Sequence, residues 1–278
     1  ELLEEDKVKR LGFEDGVMTW QLVKKLQEAA GDKWGEERWV PLGEELSLLR
    51  AVKDEGEIEK LARAEQIGDE AFSYILTQIK PGITELEIAA KLEYYMKSHG
   101  AQEKGFDTIA ASGLHSAMPH AVPSEKVLEK GDFLTLDFGC KYQGYCSDMT
   151  RTVVIGKANE KQKEIYKIVL EAQEAALAGL RAGMTGAEGD ALARKVIEEA
   201  GCGDYFGHGL GHSVGLEIHE KPALSPKDQT ILRPGIIETV EPGIYIPGLG
   251  GVRIEDMTVI TENGIKNLTS SPKELIEL

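Results

Sequence analysis

Four carboxylates stand where an isolated charge would be costly. Asp137 lies inside the apolar run FLTLDFG, Asp148 in YQGYCSDMTRT, Glu241 in ETVEPG and Glu255 in GGVRIEDM. A charged carboxylate in such a run must be paired, hydrogen-bonded or bound to a metal. A hairpin would return Asp148 beside Asp137, and the second pair repeats the arrangement. Four converging carboxylates repel unless cations sit between them. Two divalent ions bridged by carboxylates relieve this, and an oxygen-rich site suits Mn, Co or Fe at least as well as Zn. Pairing with Arg151 and Arg253 at turns would explain any one of these acids, but not four in register with a repeat. The segment FGHGLGHSVGLEIHE adds His208, His212 and His219. His208 and His212 have the spacing of a helical metal pair, but Gly207, Gly209 and Gly211 argue for a loop leading into a strand. His120, in MPHAVP, is a fourth candidate. His99 and His115 read as surface residues, and Cys140, Cys146 and Cys202 as small core or edge residues.

The elements that position these residues come as an internal repeat. KPGITELEIAAKLEYYMKSHG (80–100) parallels RAGMTGAEGDALARKVIEEAG (181–201). In both, a Thr N-cap followed three residues later by Glu opens a helix that ends at Gly. LEKGDFLTLDFG (128–139) then answers LRPGIIETVEPG (232–243). A repeat of this length is too long for a solenoid and predicts a pseudo-two-fold domain with a site between its halves. Asp54 with Glu57 opens a further helix that runs towards Pro81, and Asn159 with Gln162 opens one over 160–180. Strands are expected at 132–138, 143–154, 236–241 and 252–260. Tight turns between them favour an α+β fold with an antiparallel sheet.

Residues 1–52 differ from the rest. They hold all three tryptophans, and Thr19–Ala30 reads as an amphipathic helix with Trp20, Val23 and Leu26 on one face. The segment GDKWGEERWVPLG then breaks periodicity. Residues 1–52 therefore read as part of an incomplete domain or a packed extension ahead of a main domain over 53–278. The chain opens on Glu1 without Met, which leaves room for a segment ahead of it. Its 278 residues carry 32 basic against 48 acidic side chains, a net charge of −16 that argues against nucleic-acid binding. No apolar run is long enough for a membrane span. Three cysteines without CxxC spacing point to a reduced, cytoplasmic setting.

The strings SAMPHAVPSEKVLEKGDFLTLDFG, GYCSDMTRT, GHGLGHSVGLEIHE and TVEPGIYIPGLGGVRIED, with the helix around VKDEGEIEKLARA, run almost continuously from residue 50 to 278. Together they resemble the pita-bread metallopeptidases, in particular the Xaa-Pro dipeptidase (prolidase) and Xaa-Pro aminopeptidase branch. The resemblance implies a curved, mainly antiparallel sheet covered by helices. It implies that Asp137 ligates one metal, that Asp148 and Glu255 bridge two, and that His212 and Glu241 complete the other. A metal-bridging water or hydroxide would be the nucleophile, with Glu241 also moving its proton. His120, His208 and His219 would stand near the substrate carbonyl, and Arg253 would orient Asp137. The implied cofactors are two divalent ions, Mn or Co foremost, with Zn or Fe allowed. The implied substrate is a small peptide with proline in second position, and a homodimer is left open. Methionine aminopeptidase shares the fold and the five ligands, but the GLEIHE and VRIED contexts favour the proline branch. Creatine amidinohydrolase shares the fold without needing this metal set. A non-catalytic binding scaffold on this fold would have lost ligands, and all five are present. Two departures matter. The branch carries a larger N-terminal domain, for which only the first 50 or so residues stand here, so the chain reads as a shortened form. In HEKPAL, Ala223 occupies a position where prolidases often place Arg, which removes one anchor for a dipeptide carboxylate.

Overall fold

The computed structural model describes residues 8–31 and 34–278. Those parts of the N-terminal reading that fall on residues 1–7 and 32–33 lie outside the described residues. The chain divides into two compact units, Glu1–Arg50 and Ala51–Leu278. In the first unit, strands β1 (Leu11–Phe13) and β2 (Trp39–Pro41) pair in parallel, and helix α1 spans Trp20–Ala30. Thr19 caps α1, as its sequence suggests. The expected apolar face is only partly realised. Val23 is buried, whereas Trp20 is 71% exposed at the first helical position, with the Lys24 ammonium 5.2 Å from its ring centroid. Helix α2 (Glu45–Ala51) leads to the second unit.

The second unit begins with α3 (Glu55–Leu76) and α4 (Glu85–Ser98). Strands β3 (Glu103–Lys104), β4 (Ile109–Ser112), β5 (Phe133–Phe138), β6 (Cys140–Tyr142), β7 (Tyr145–Cys146) and β8 (Met149–Val154) follow. Helices α5 (Glu160–Gly179) and α6 (Gly186–Glu199) open the second half. It continues through β9 (Gly211–Ser213), β10 (Glu220–Leu224), β11 (Ile237–Val240), β12 (Gly243–Ile246), β13 (Gly250–Arg253), β14 (Asp256–Thr261) and β15 (Gly264–Asn267). Every strand pair named in this unit is antiparallel, the central ones being β4–β5–β8 and β11–β14–β15.

Among the described residues, four complete capping boxes fix the starts of α3 to α6: Asp54 with Glu57, Thr84 with Glu87, Asn159 with Gln162 and Thr185 with Glu188. Each satisfies backbone donors that the first helical turn leaves unpaired. The apolar faces of α3 and α4 then pack with β5 and β8 around Ile67, Phe72, Leu92, Leu134 and Met149. Those of α5 and α6 pack with the second-half strands around Val169, Ala193, Leu224, Val240 and Ile260. Two of the expected strands are broken. The stretch 143–154 leaves its ladder at Ser147–Asp148, and 252–260 breaks at Ile254–Glu255. Both breaks carry a buried acid whose side chain turns to the site instead of continuing the pleat. Among the described residues, no helix is long and apolar enough to cross a membrane.

Candidate active site

The two strand breaks and two strand ends deliver the four carboxylates. Asp137, near the end of β5, is paired in register with Thr150 of β8. Asp148 precedes β8, Glu241 follows β11, and Glu255 lies between β13 and β14. One oxygen each of Asp137, Asp148 and Glu255 lie within 4.8 Å of one another. Glu241 joins them through His212, whose Nε2 is 3.4 Å from Glu241 Oε1 and 3.5 Å from Asp148 Oδ2. The imidazole reaches this point because β9 runs hard against β11. A Cβ at Gly211 would stand 1.9 Å from the Thr239 carbonyl oxygen, so no side chain fits there. The His212 N–H donates to Thr239 Oγ1 at 3.0 Å, and the Thr239 hydroxyl donates to Glu241 Oε1 at 3.1 Å.

Arg253 ends β13 and ties the cluster together. Its Nη2 donates to Asp137 Oδ2 at 2.5 Å and its Nε to Thr150 Oγ1 at 3.1 Å, while the Thr150 hydroxyl donates to Glu255 Oε2 at 2.6 Å. Its Nη1 donates to Tyr245 Oη at 2.7 Å and to the Pro119 carbonyl at 3.3 Å. His208 Nδ1 stands 2.7 Å from the Gly209 carbonyl, which can only accept, so Nδ1 carries the hydrogen and Nε2 accepts from the Tyr245 hydroxyl at 3.0 Å. Burial, and then the Arg253 charge, push the His208 pKa down to about 4, so this ring is neutral at pH 7. Both of its nitrogens are engaged by the protein. His120 and His219 differ: each is exposed on the wall of a cleft of about 920 Å³ that also holds the carboxylates, His208 and Arg253. The His219 ring meets that of His212 edge-on, with centroids 4.4 Å apart.

Electrostatically the cluster is strained. Burial, then the neighbouring carboxylates, raise Asp148 and Glu255 well above the usual carboxylate range. Burial carries Glu241 up to about 7 against the pull of Arg253. Asp137 Oδ1 and Glu255 Oε1 are buried without a hydrogen-bond partner. His212 Nδ1 lies 3.2 Å from the Ser213 carbonyl, so Nε2 directs a lone pair between two carboxylate oxygens. Acceptors facing acceptors, with no donor between them, are what divalent cations satisfy. An oxygen-rich set with one imidazole fits first-row ions of this kind.

The family model described as metallopeptidase family M24 matches residues 59–262. The chain belongs to that family. It is 48% identical over 266 residues to a protein named Xaa-Pro dipeptidase from Pyrococcus furiosus, covering 96% of this chain and 75% of that protein. A solved Xaa-Pro dipeptidase from Bacillus anthracis superposes with a TM-score of 0.95 at 49% identity, over 100% of this chain and 77% of that one. An X-Pro aminopeptidase from Thermotoga maritima gives a TM-score of 0.94 at 44% identity, over 100% and 77%. The fold of this M24 chain is the pita-bread α+β fold.

Sequence reading missed several residues that hold the site. Tyr245 lies within the string TVEPGIYIPGLGGVRIED, but only the pairing of β12 with β13, Gly243 opposite Arg253, reveals that its hydroxyl meets Arg253. Thr150 and Thr239 look like ordinary strand residues. Glu65 of α3 is fully buried, accepts from the Asp148 N–H at 3.3 Å and from Thr269 Oγ1 at 2.6 Å, and is pushed up to about 8, chiefly by burial. A Glu on the apolar stripe of α3 was its one signal. His115 is not a plain surface residue, since its Nδ1 lies 3.2 Å from the buried Glu85.

Proposed function

We propose that this M24 chain is a dinuclear-metal exopeptidase that cleaves between an N-terminal residue and proline. The reading rests on one observation above all: unpartnered Asp137 Oδ1 and Glu255 Oε1 in a buried cluster with Asp148, Glu241 and His212. Relatives named for Xaa-Pro hydrolysis support the substrate. Asp137, Asp148 and Glu255, with His212 and Glu241, would hold two divalent ions, Mn or Co foremost. Bound there, such ions lower the pKa of a water and polarise a carbonyl.

The chain's own residues do the rest. Arg253 holds Asp137 in place through one charge-assisted hydrogen bond to Oδ2 while its other nitrogens are anchored on Thr150 and Tyr245. Thr150 and Thr239 orient Glu255 and Glu241. Glu241, beside the attacking water, would take up its proton and pass it towards the leaving amine. Burial pulls His219 below the usual imidazole range, so it is neutral at pH 7 and one nitrogen remains a donor. His219 and His120, free on the cleft wall, donate to the oxygen of the scissile carbonyl as charge develops on it. His208 acts indirectly, closing the chain from Arg253 through Tyr245. Phe106, Ile109 and Ile218 give the cleft an apolar wall suited to a proline ring. Ala223 lines it without offering a cation to a dipeptide carboxylate, so tripeptides are accepted as well. The test is hydrolysis of Met-Pro, Met-Pro-Yaa and Met-Ala peptides by the Mn-loaded chain, with metal counted per chain. Proline peptides should be strongly preferred and the metal ratio should approach two. Equal turnover of Met-Ala, or full activity at a ratio of one, overturns the reading.

A further inference from the structure

Glu85, the first residue of α4, has a fully buried carboxylate that the assignment above does not use. Its Oε1 accepts from the Ser112 N–H at 2.7 Å and the Ser112 hydroxyl at 2.8 Å. Its Oε2 accepts from the Ser124 N–H at 3.1 Å and the Ser124 hydroxyl at 2.7 Å, with His115 Nδ1 at 3.2 Å. Ser112 and Ser124 are the two ends of one loop. Residues 113–123 between them carry His120 and line the cleft from Pro119 to Pro123. Each oxygen of a single carboxylate thus holds one end of the loop. The middle is held from the other half of the domain, where Gly251 N–H donates to Ser116 Oγ at 2.9 Å and Arg253 to the Pro119 carbonyl.

Helix formation does not require this carboxylate, because Thr84 and Glu87 complete the capping box. The repeat does not require it either. The matching position is Gly186, where a Cβ would stand 2.2 Å from the Ala223 carbonyl oxygen and the backbone of β10 fills the space. A buried acid with saturated oxygens, under a loop that bears one of the two exposed histidines of the cleft wall, has a more specific use. We propose that Glu85 is a positioning residue for His120: by tying Ser112 to Ser124 it fixes where the imidazole meets the substrate. The inference rests on the proposed role of His120 in the reaction.

The test uses the full Mn-loaded chain with Glu85→Gln, Ser124→Ala, His120→Ala and the double variant Glu85→Gln/His120→Ala. Glu85→Gln swaps one acceptor oxygen for an amide donor facing other donors. It should lower kcat by about 10–100-fold, the usual scale for a displaced catalytic group, with KM little changed. Metal per chain should stay the same, and hydrogen exchange at residues 113–123 should quicken. In the His120→Ala background the same change should cost nothing more. Ser124→Ala removes one hydroxyl donor and should give the same pattern at about 5-fold, which serves if Glu85→Gln does not fold. Normal kcat in the loaded Glu85→Gln chain, or an equal loss with and without His120, overturns the inference alone. A His120→Ala chain as active as the parent overturns both the inference and the role of His120 on which it rests.

Discussion

The two halves of the second unit use the same parts differently. In each, a capped helix (α4 or α6) precedes an antiparallel strand pair, β5–β8 or β11–β14. In each, one acid lies at the end of the first strand and another in the break before the second, Asp137 and Asp148 against Glu241 and Glu255. The carboxylates are therefore close to symmetric. Everything that gives the site direction is not. The second half alone supplies an imidazole between the carboxylates, His212, and a guanidinium on them, Arg253. The halves also steady their histidine loops by different means. A glutamate side chain does it in the first half. In the second, the buried Lys53–Glu220 pair at 2.9 Å does it, with Glu220 accepting from the Leu216 and Glu217 N–H groups. A repeat can place a charge cluster, but chemistry needs a front and a back, and the asymmetric residues provide them.

If the carboxylates are symmetric, removing one from either half should have the same effect. Asp148→Asn and Glu255→Gln should each deprive both proposed ions of a ligand. The expected loss is several kcal/mol of transition-state stabilisation, about 10³-fold or more in kcat/KM. Metal per chain should fall in step. A variant that keeps two ions and full activity in one half but not in the other would show that the halves are unequal here too.

A second comparison separates two crossed ion pairs. Arg151 of the first half reaches Asp256 of the second at 2.8 Å, and Arg253 of the second reaches Asp137 of the first at 2.5 Å. The first pair faces away from the cleft. Arg151 also donates to the carbonyls of Thr150, Glu255, Ser271 and Pro272, pinning the C-terminal segment. Removing the buried guanidinium leaves Asp256 with Lys273 as its remaining ion-pair partner and strips several buried carbonyls of their donor, so Arg151→Met should cost about 3–5 kcal/mol of stability. The folded remainder should bind metal normally. Arg253→Lys should do the reverse, losing the planar guanidinium that spans Asp137, Thr150 and Tyr245 and about 10–100-fold in activity, with a smaller shift in denaturation midpoint. Chemical denaturation and kinetics on both variants decide this. The same signature from both would merge the two pairs into one structural role.

How far the sequence foretold this follows from what each residue's signal was. The four acids were legible because charge in an apolar run has few explanations and the repeat supplied their partners. The helix starts were legible because a capping box is local chemistry. The strand breaks at Ser147–Asp148 and Ile254–Glu255 were not. Val, Ile, Met and Thr continue the β pattern through them, and only the convergence on a common centre pulls the chain out of register. Glu85 and Glu65 were hidden for a related reason. A Glu near a helix start or on a helix stripe has many ordinary uses, and the donors that define these two lie 27 to 204 residues away along the chain. Trp20 misled because amphipathic spacing says which residues share a face, not whether anything covers it.

The histidines test whether one role is split across the halves. His120 and His219 come from opposite halves and line the same cleft, whereas His212 lies among the carboxylates. His219→Ala should keep the metals and lower kcat by about 100-fold, near 3 kcal/mol, as for loss of one oxyanion donor. His120→Ala should resemble it. His212→Ala should lower metal occupancy and activity together. Metal loss in His219→Ala with retention in His212→Ala would exchange the two assignments.

The smallest expected effect sharpens the contrast between a buried acid that is fully served and one that is not. Burial raises the Glu85 carboxyl, but the hydrogen bonds from Ser124 and Ser112 outweigh it and leave the group below its ordinary value. Glu65 has two donors at hand and sits among other acids, and burial wins, carrying it to about 8. An acid whose folded pKa is raised holds its proton in the native state while the unfolded chain has already released it. Between its ordinary value of 4.5 and about 8, the unfolded state therefore binds fewer protons, and stability falls as pH rises. For one such group the slope is about 1.4 kcal/mol per pH unit. Metal-free chain should thus be more stable at pH 5.5 than at pH 8 by an amount that shrinks in Glu65→Gln, whose amide carries no titrating proton. Glu85→Gln should leave the slope over this range intact, since Glu85 stays ionised in both states there. Denaturation midpoints across the range check this, and a slope that survives Glu65→Gln unchanged would shift the cause to the acids between the two halves.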